Sequence, residues 1–367
     1  MHTLRAGKKW RCAPFFASCL WVLLGLLASG CNRPQLHQQE AFVFGTQVEL
    51  SIAEVPEAEA RAAASAVLAE FDRLHRLLHA WQPSEITRLN DALAAGMAYA
   101  PPPEVLTYLA DAQQIARAGE HLFDPGIGRL IALWGFQNDH FEARLPDAAA
   151  LAAWRQHRPS MADLVMREGQ VSSRNRQLAI DLGGYAKGVA LDRAADILRA
   201  RGIRNALINI GGNVMALGDK SGTPWKIGIR HPRGSGYLAA LALHDGEAIG
   251  TSGDYQRYFE LDGRRYAHLL DPRTGEPAQG TQAVTVLISP GPSPVSGAVG
   301  MRSDALSKPL FIAGADAWSP LAERLGVRSA LRVDASGQIF VTESLAKRLT
   351  WPPGSLAPHV LTGPGGR

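Results

Sequence analysis

Apolar residues at Val43, Phe44, Val48, Leu50 and Ile52 predict a strand over Phe42–Ile52. From Glu57 to Leu78 the period changes: Val67, Leu68, Phe71, Leu74 and Leu78 recur at helical spacing, a stripe whose default role is core packing. Pro83-Ser84-Glu85 breaks that pattern, Pro102 and Gly119 bracket a second helix, and Pro146-Asp147 opens a short third one. Asp124-Pro125-Gly126 reads as a turn. Val171–Leu182 is strand-like, Tyr185–Arg201 reads as a helix ending near Gly202, and Ala206–Ile210 as a buried strand closed by Gly211-Gly212-Asn213. Strand, glycine loop, helix and strand across 177–210 predict a βαβ-type crossover. Strands and turns dominate Trp225–Ile288, and Ser289–Met301 is a long Pro/Gly/Ser-rich loop. Helix resumes at Asp304, with Ser303-Asp304 at its start. No domain linker interrupts this order, which predicts one compact α+β unit with room for two lobes.

The N-terminus stands outside that pattern. Arg5, Lys8, Lys9 and Arg11 precede an uncharged apolar stretch, Phe15–Leu27, and Ala28-Ser29-Gly30-Cys31 follows. This is the layout of a secretory signal, and it resembles a bacterial lipoprotein signal in which the cysteine becomes the lipid-bearing first residue. The alternative is an uncleaved anchor, for which Phe15–Gly30 is slightly short. The expected boundaries are a signal at 1–31, a polar tether at 32–40, the folded domain at 41–350 and a disordered tail at 351–367.

Composition changes the picture in two ways. The three cysteines (Cys12, Cys19, Cys31) all lie in the signal, so the rest of the chain has no disulfide, reactive thiol or thiolate ligand. The whole chain carries a formal charge of +4, and the four basic residues of the signal account for it, leaving a neutral remainder. Nucleic-acid binding loses its main support.

The densest candidate chemistry is Asp-Leu-Gly-Gly-Tyr-Ala-Lys-Gly at 181–188. Paired glycines permit close approach of backbone to a ligand, a helix start offers N–H groups, and Lys187 adds charge. Lys187 lacks the flanking pattern of a phosphate loop, and the adjacent glycines do not make the dinucleotide fingerprint. Three further polar segments stand where a core would be apolar: Gly250–Tyr255, Tyr266–Gly275 with His268 ahead of an Asp-Pro-Arg-Thr-Gly turn, and Ser303–Lys308. Singly, each has a plain structural reading: Asp271 opening a turn, Asp304 capping a helix, His268 ending a strand, and Phe44, Trp81 and Phe123 in the core.

Together these segments resemble one family. Asp-Leu-Gly-Gly-Tyr-Ala-Lys-Gly, Gly-Gly-Asn at 211–213, Ser-Gly-Asp-Tyr at 252–255, His-Leu-Leu-Asp-Pro-Arg-Thr-Gly at 268–275 and Asp-Ala-Leu at 304–306 are similar to motifs of the FAD:protein FMN transferases, the ApbE family. So are Phe-Gly-Thr at 44–46, Ser-Glu-Ile-Thr-Arg-Leu-Asn at 84–90, Phe-Asp-Pro-Gly at 123–126 and Leu-Trp-Gly-Phe at 133–136, over Phe42–Leu345 and in family order. The resemblance implies an ApbE-like (T-fold-like) fold with mixed sheets, flanking helices and an FAD cleft between lobes. It implies Mg2+-assisted cleavage of FAD, transfer of FMN to a threonine or serine of an extracytoplasmic flavoprotein, and release of AMP. It assigns Phe44, Trp81, Leu122, Phe123 and Asp124 to the ring-binding cleft. It sets Asp181, Lys187, Ser252, Asp254, Tyr255, His268 and Leu269 by the FAD, and Gly184, Asp304 and Ser307 by the metal. His268 is the expected base toward the acceptor hydroxyl, since a neutral imidazole suits that task. Family members are often exported lipoproteins, which agrees with the signal and with a lipid anchor at Cys31 facing the periplasm. Two readings compete: a lipoprotein that binds FAD without catalysis, and a hydrolase that splits FAD to FMN and AMP.

The chain departs from the family pattern at Lys308, where threonine is usual four residues after the metal-binding aspartate. A charged lysine donates and cannot ligate Mg2+. Lys308 either points away, places its own charge where part of the metal's would be, or leaves a site that binds FAD without transferring it. The long Ser289–Met301 loop is a second departure, placed either over the cleft or toward a partner.

Overall fold

The computed structural model describes residues 2–3, 36–138, 142–295 and 297–362. The apolar stretch Phe15–Leu27 and Cys31 lie outside the described residues.

A nine-stranded sheet forms the frame. In spatial order its strands are Leu36–Val43, Thr46–Ala53, Ala206–Ile210, Asn213–Leu217, Ala248–Gly253, Thr281–Ile288, Ser329–Asp334, Ile339–Thr342 and His359–Leu361. Neighbours are antiparallel except the last pair, which is parallel. All eight residues of Thr281–Ile288 are buried, and alternation divides its apolar ones between two cores. Val284, Val286 and Ile288 face a core built with the helices Glu57–Leu78, Ala186–Ala200 and Val299–Ile312. Ala283 and Leu287 face a second core, closed by the three-stranded sheet Trp225–Arg230, Tyr237–Leu243 and Leu349–Thr350. A third, aromatic cluster of Trp134, Phe136, Trp154, Phe259 and Tyr266 stands beside them. The α+β expectation with two lobes describes this arrangement.

Several sequence expectations need correction. Leu36–Glu40, assigned to a tether, belongs to the first strand, and the strand read over Phe42–Ile52 is a hairpin turning at Phe44-Gly45. His359–Leu361, inside the segment expected to be disordered, forms the ninth strand. No βαβ crossover spans 177–210: Ala206–Ile210 pairs antiparallel with Thr46–Ala53, and 177–182 makes one isolated bridge, Ala179 to Ile127. That stretch is extended but clamped by side chain and loop. Asn90 accepts from the Ile180 N–H at 2.7 Å and donates to the Ile180 carbonyl at 2.9 Å, while the Asp181 N–H reaches the Pro125 carbonyl at 2.8 Å. Its backbone groups are thus satisfied without a neighbouring strand.

The last long helix begins at Val299, so Asp304 lies in its second turn and is no N-cap. Its cap comes from another helix: the Asp192 carboxylate accepts the N–H groups of Gly300 and Met301, each at 2.7 Å. Burial pushes the Asp192 carboxyl up to about 6. The Ser289–Met301 loop packs away from the cleft, with Pro294 against Gly326 and Ser289 bonded to Glu247 at 2.8 Å, and its described residues do not line the cleft.

The helices Ala186–Ala200 and Val299–Ile312 cross at Gly188 and Gly300. A Cβ on Gly188 would stand 2.4 Å from the Gly300 carbonyl oxygen and 2.7 Å from Met301 Cα. Backbone blocks that space, so no rotamer relieves the overlap. Gly188→Ala is expected to cost about 1–3 kcal/mol in urea unfolding at neutral pH; an unchanged midpoint would show that the two helices can move apart freely.

Candidate active site

A cleft of about 1150 Å3 opens where the three cores meet, somewhat larger than the roughly 300–1,000 Å3 of small-ligand sites. Phe44 sits on its lip with φ 56°, beside Gly45 at φ 67°. Such turns match the twist of a hairpin, and the left-handed conformation costs a residue with a Cβ about 1–2 kcal/mol. Packing of the Phe44 ring on Phe71 and edge-on to His75, with centroids at 5.9 and 5.6 Å, offsets that strain. Trp81 is held opposite. Its N–H donates to His79 Nδ1 at 3.0 Å, and its indole donates to Asp181 Oδ2 at 3.1 Å. Phe123 meets the glycine loop, where a Cβ on Gly184 would lie 2.7 Å from its ring.

The loop at 181–188 forms one wall. Asp181 Oδ1 accepts the Gly183 N–H at 2.8 Å, and desolvation raises the Asp181 carboxyl above the usual carboxylate range. Lys187 lines the cleft one residue before the helix crossing, and among the described residues it makes no ion pair. Ser252, Tyr255, His268, Leu269 and Lys308 also line the cleft.

His268 is the group whose state is best fixed. Its Nδ1 lies 3.1 Å from the Arg257 carbonyl. A carbonyl only accepts, so Nδ1 carries the proton and Nε2 keeps a lone pair. Burial, then the charges of Arg257 and Lys187, and further down Lys308, push its pKa down to about 3. It is a neutral imidazole at physiological pH.

Two expected ligand contacts have other work. The Asp124 carboxylate is saturated by the chain: Oδ1 takes the N–H groups of Gly126 and Met161, both at 2.8 Å, and Oδ2 meets Ser160 and His121, both at 2.7 Å. It acts on the cleft by fixing the loop that carries Leu122 and Phe123. Asp254 does not line the cleft; Arg233 takes its carboxylate with two bonds of 2.7 and 2.6 Å. Conversely, Arg230 and Arg257 line the cleft and sequence reading missed both. Arg257 lies two residues past Tyr255, but nothing in its neighbours marks it; its guanidinium donates to the Phe136 and Asn138 carbonyls, at 3.1 and 2.9 Å.

Of the expected metal ligands, Gly184 lines the cleft, while Asp304 and Ser307 lie together one turn apart and are already bonded within the chain. Asp304 is 1% exposed and stands behind Lys308, the side chain that reaches the cleft. Asp304 Oδ2 accepts the Gly188 N–H at 3.0 Å, and Oδ1 is paired with Lys308 Nζ, which also donates to the Asp304 carbonyl at 2.8 Å. The Ser307 hydroxyl donates to that carbonyl and meets the Ser252 hydroxyl, both at 2.7 Å. Mg2+ needs hard oxygens in near-octahedral array, and here the key carboxylate already holds an ammonium. Among the described residues no group of three His, Cys, Asp or Glu side chains could hold a metal. As arranged, Gly184, Asp304 and Ser307 do not fit the expected ion.

Known proteins share both the sequence and this fold. The ApbE family model matches residues 44–331. An FAD:protein FMN transferase of Rhodobacter capsulatus is 39% identical over 339 residues, which is 91% of this chain but 63% of that protein. Another, of Haemophilus influenzae, is 30% identical over 275 residues, covering 73% of this chain and 77% of its own. The crystal structure of the ApbE protein of Thermotoga maritima superposes with a TM-score of 0.76 at 31% identity, over 86% of this chain and 99% of that one. The apo form of the Pseudomonas stutzeri flavinyl transferase ApbE gives 0.73 at 29% identity, over 87% and 98%. With the motifs in order, the fold shared and most of the chain matched, the protein belongs to the ApbE family.

Proposed function

We propose that this transferase cleaves FAD at its pyrophosphate and joins the FMN half to a threonine or serine hydroxyl of a partner flavoprotein. The observation that carries the reading is the make-up of one cleft. Aromatic surfaces stand at its mouth (Phe44, Trp81, Phe123), two lysines line it (Lys187, Lys308), and one histidine in it is held neutral. A flat ring system calls for the first and a pyrophosphate for the second. Asp181, its carboxyl raised by burial, stands beside an anion at lower electrostatic cost than an ordinary carboxylate.

In the transfer, the acceptor oxygen attacks the phosphorus of the FMN half. A new P–O bond forms as the bond to the AMP phosphate breaks, and AMP departs with that electron pair. The hydroxyl proton passes to His268 Nε2. A pKa of about 3 makes a weak base, but that value belongs to the ligand-free cleft. Bound phosphates oppose the charges of Arg257, Lys187 and Lys308, so the ligand removes the charge part of that shift and leaves the part due to burial. Phosphoryl transfer is mostly positioning and charge stabilisation, and the two lysines supply the latter.

The setting is proposed on the sequence. A basic n-region, an apolar stretch and Cys31, followed by a cysteine-free chain, support a lipid anchor in the bacterial envelope facing the periplasm. Among the described residues no helix is long and apolar enough to cross a membrane. The acceptor is then an exported electron-transfer flavoprotein with an Asp-x-x-Thr/Ser-Gly-Ala-Thr/Ser-like motif.

Purified protein incubated with FAD, Mg2+ and such an acceptor should yield covalent flavin on the acceptor and one AMP per flavin. AMP without covalent flavin supports the hydrolase reading; bound FAD with neither product supports the storage reading. His268→Gln should keep FAD affinity within about twofold while slowing transfer by about 10²–10⁴-fold, and unchanged transfer would remove His268 from the step. The same residue predicts a pH effect. The unfolded chain protonates His268 near 6.5 while the fold resists until about 3. Stability contributed by the neutral form is therefore complete above the higher value and lost as pH falls between the two. His268→Gln should lose less urea stability than wild type between pH 7 and about 4.5; equal losses would refute the depressed pKa.

A further inference from the structure

The disagreement at Asp304 has a constructive reading. Lys308 follows Asp304 by one helical turn, so both side chains leave the same face of Val299–Ile312. Its side chain is 12% exposed, its ammonium is paired to Asp304 Oδ1, and it donates to the Asp304 carbonyl. An ammonium has three N–H donors, and two are used on Asp304. Lys308 lines the cleft, so the third is available on the ligand side. The carboxylate in turn is held from behind by the Gly188 N–H at 3.0 Å, which keeps Oδ1 turned to Lys308.

We infer that Lys308 is a built-in replacement for a divalent cation: its ammonium takes the place on Asp304 that a metal would take, and offers its remaining N–H to a phosphate oxygen of the bound dinucleotide. The balance of charge supports the exchange. One buried carboxylate is neutralised by one ammonium, whereas adding a divalent ion beside Lys308 would place two cationic centres on a single carboxylate at bonding distance. Lys187 lies close enough to Lys308 for their charges to interact, so two fixed cations stand near one another on the cleft, where a phosphate could meet both. The inference rests on the FAD-binding reading above for the identity of the phosphate, but not for the state of Asp304.

The test separates the two. Chelator-washed full-length protein is titrated with Mn2+, and free Mn2+ is followed by its EPR signal. Wild type should bind no stoichiometric ion. Lys308→Thr should gain one Mn2+ per chain, at least about tenfold tighter than any wild-type binding, and Lys308→Thr with Asp304→Asn should lose it. Wild type that takes up one Mn2+, with Asp304→Asn removing it, overturns the inference, and so does a folded Lys308→Thr protein that binds none. The wild-type arm decides even where the variant fails to fold. In a second arm, FAD and riboflavin affinities are measured by flavin fluorescence in EDTA and in Mg2+. Wild-type FAD affinity should be the same in both within about twofold, and Lys308→Met should weaken FAD about tenfold while leaving riboflavin unchanged. FAD affinity that collapses in EDTA contradicts the replacement. Absence of any FAD binding contradicts the proposed function, while the Mn2+ arm still decides the state of Asp304.

Discussion

The close crossing of two helices at Gly188 and Gly300 is the constraint on which the site depends. It brings backbone to within the space of a missing Cβ, and it is pinned twice. Asp192 of one helix caps the start of the other, and Asp304, in the second turn of that other helix, accepts the N–H of Gly188 in the first turn of the one. Both pins are charged groups bonded to backbone in a buried setting, where such bonds are strong and their loss costly. Because Lys187 adjoins Gly188 and Lys308 follows Asp304 by one turn, fixing the crossing also fixes where two cations stand on the cleft.

The electrostatics of the cleft follow from that placement. Burial, and then the charges of Arg257, Lys187 and Lys308, keep the His268 imidazole neutral. Under the proposed function, phosphates held by the lysines would oppose the charge part of that shift, while the part due to burial would remain. The aromatic mouth is built independently. Phe44 is presented by a hairpin turn and braced by Phe71 and His75, and Trp81 is aimed by His79 and Asp181.

Much of this was legible in the sequence, for identifiable reasons. The Glu57–Leu78, Pro103–Ala118 and Ala186–Ala200 helices carry their periodicity and their punctuation locally. The glycine-lysine loop and His268 announced themselves because polar and glycine residues interrupt apolar stretches. What failed was non-local. Residues 177–182 have strand composition, but Asn90 and the Pro125–Gly128 turn, distant in sequence, take their hydrogen bonds. The start of Val299–Ile312 was hidden because its cap, Asp192, lies on another helix. Asp124 and Asp254 looked like ligand contacts because both sit in motifs that resemble those of the family, yet each is held by the protein's own donors. Arg257 and Arg230 enter the cleft by topology alone. Lys308 is the opposite case: its chemistry was plain from the sequence, and only the structure shows that it turns to Asp304 rather than away.

The central claim is that fixed ammonium groups, with Asp304 committed to one of them, meet the phosphates of the ligand. A crystal of the FAD complex grown with Mn2+ and recorded at the manganese absorption edge tests it most directly. The account predicts the pyrophosphate between Lys187 and Lys308, Lys308 Nζ still paired with Asp304, and no anomalous peak at that carboxylate. A peak bonded to Asp304 Oδ1, with Lys308 displaced, would contradict it.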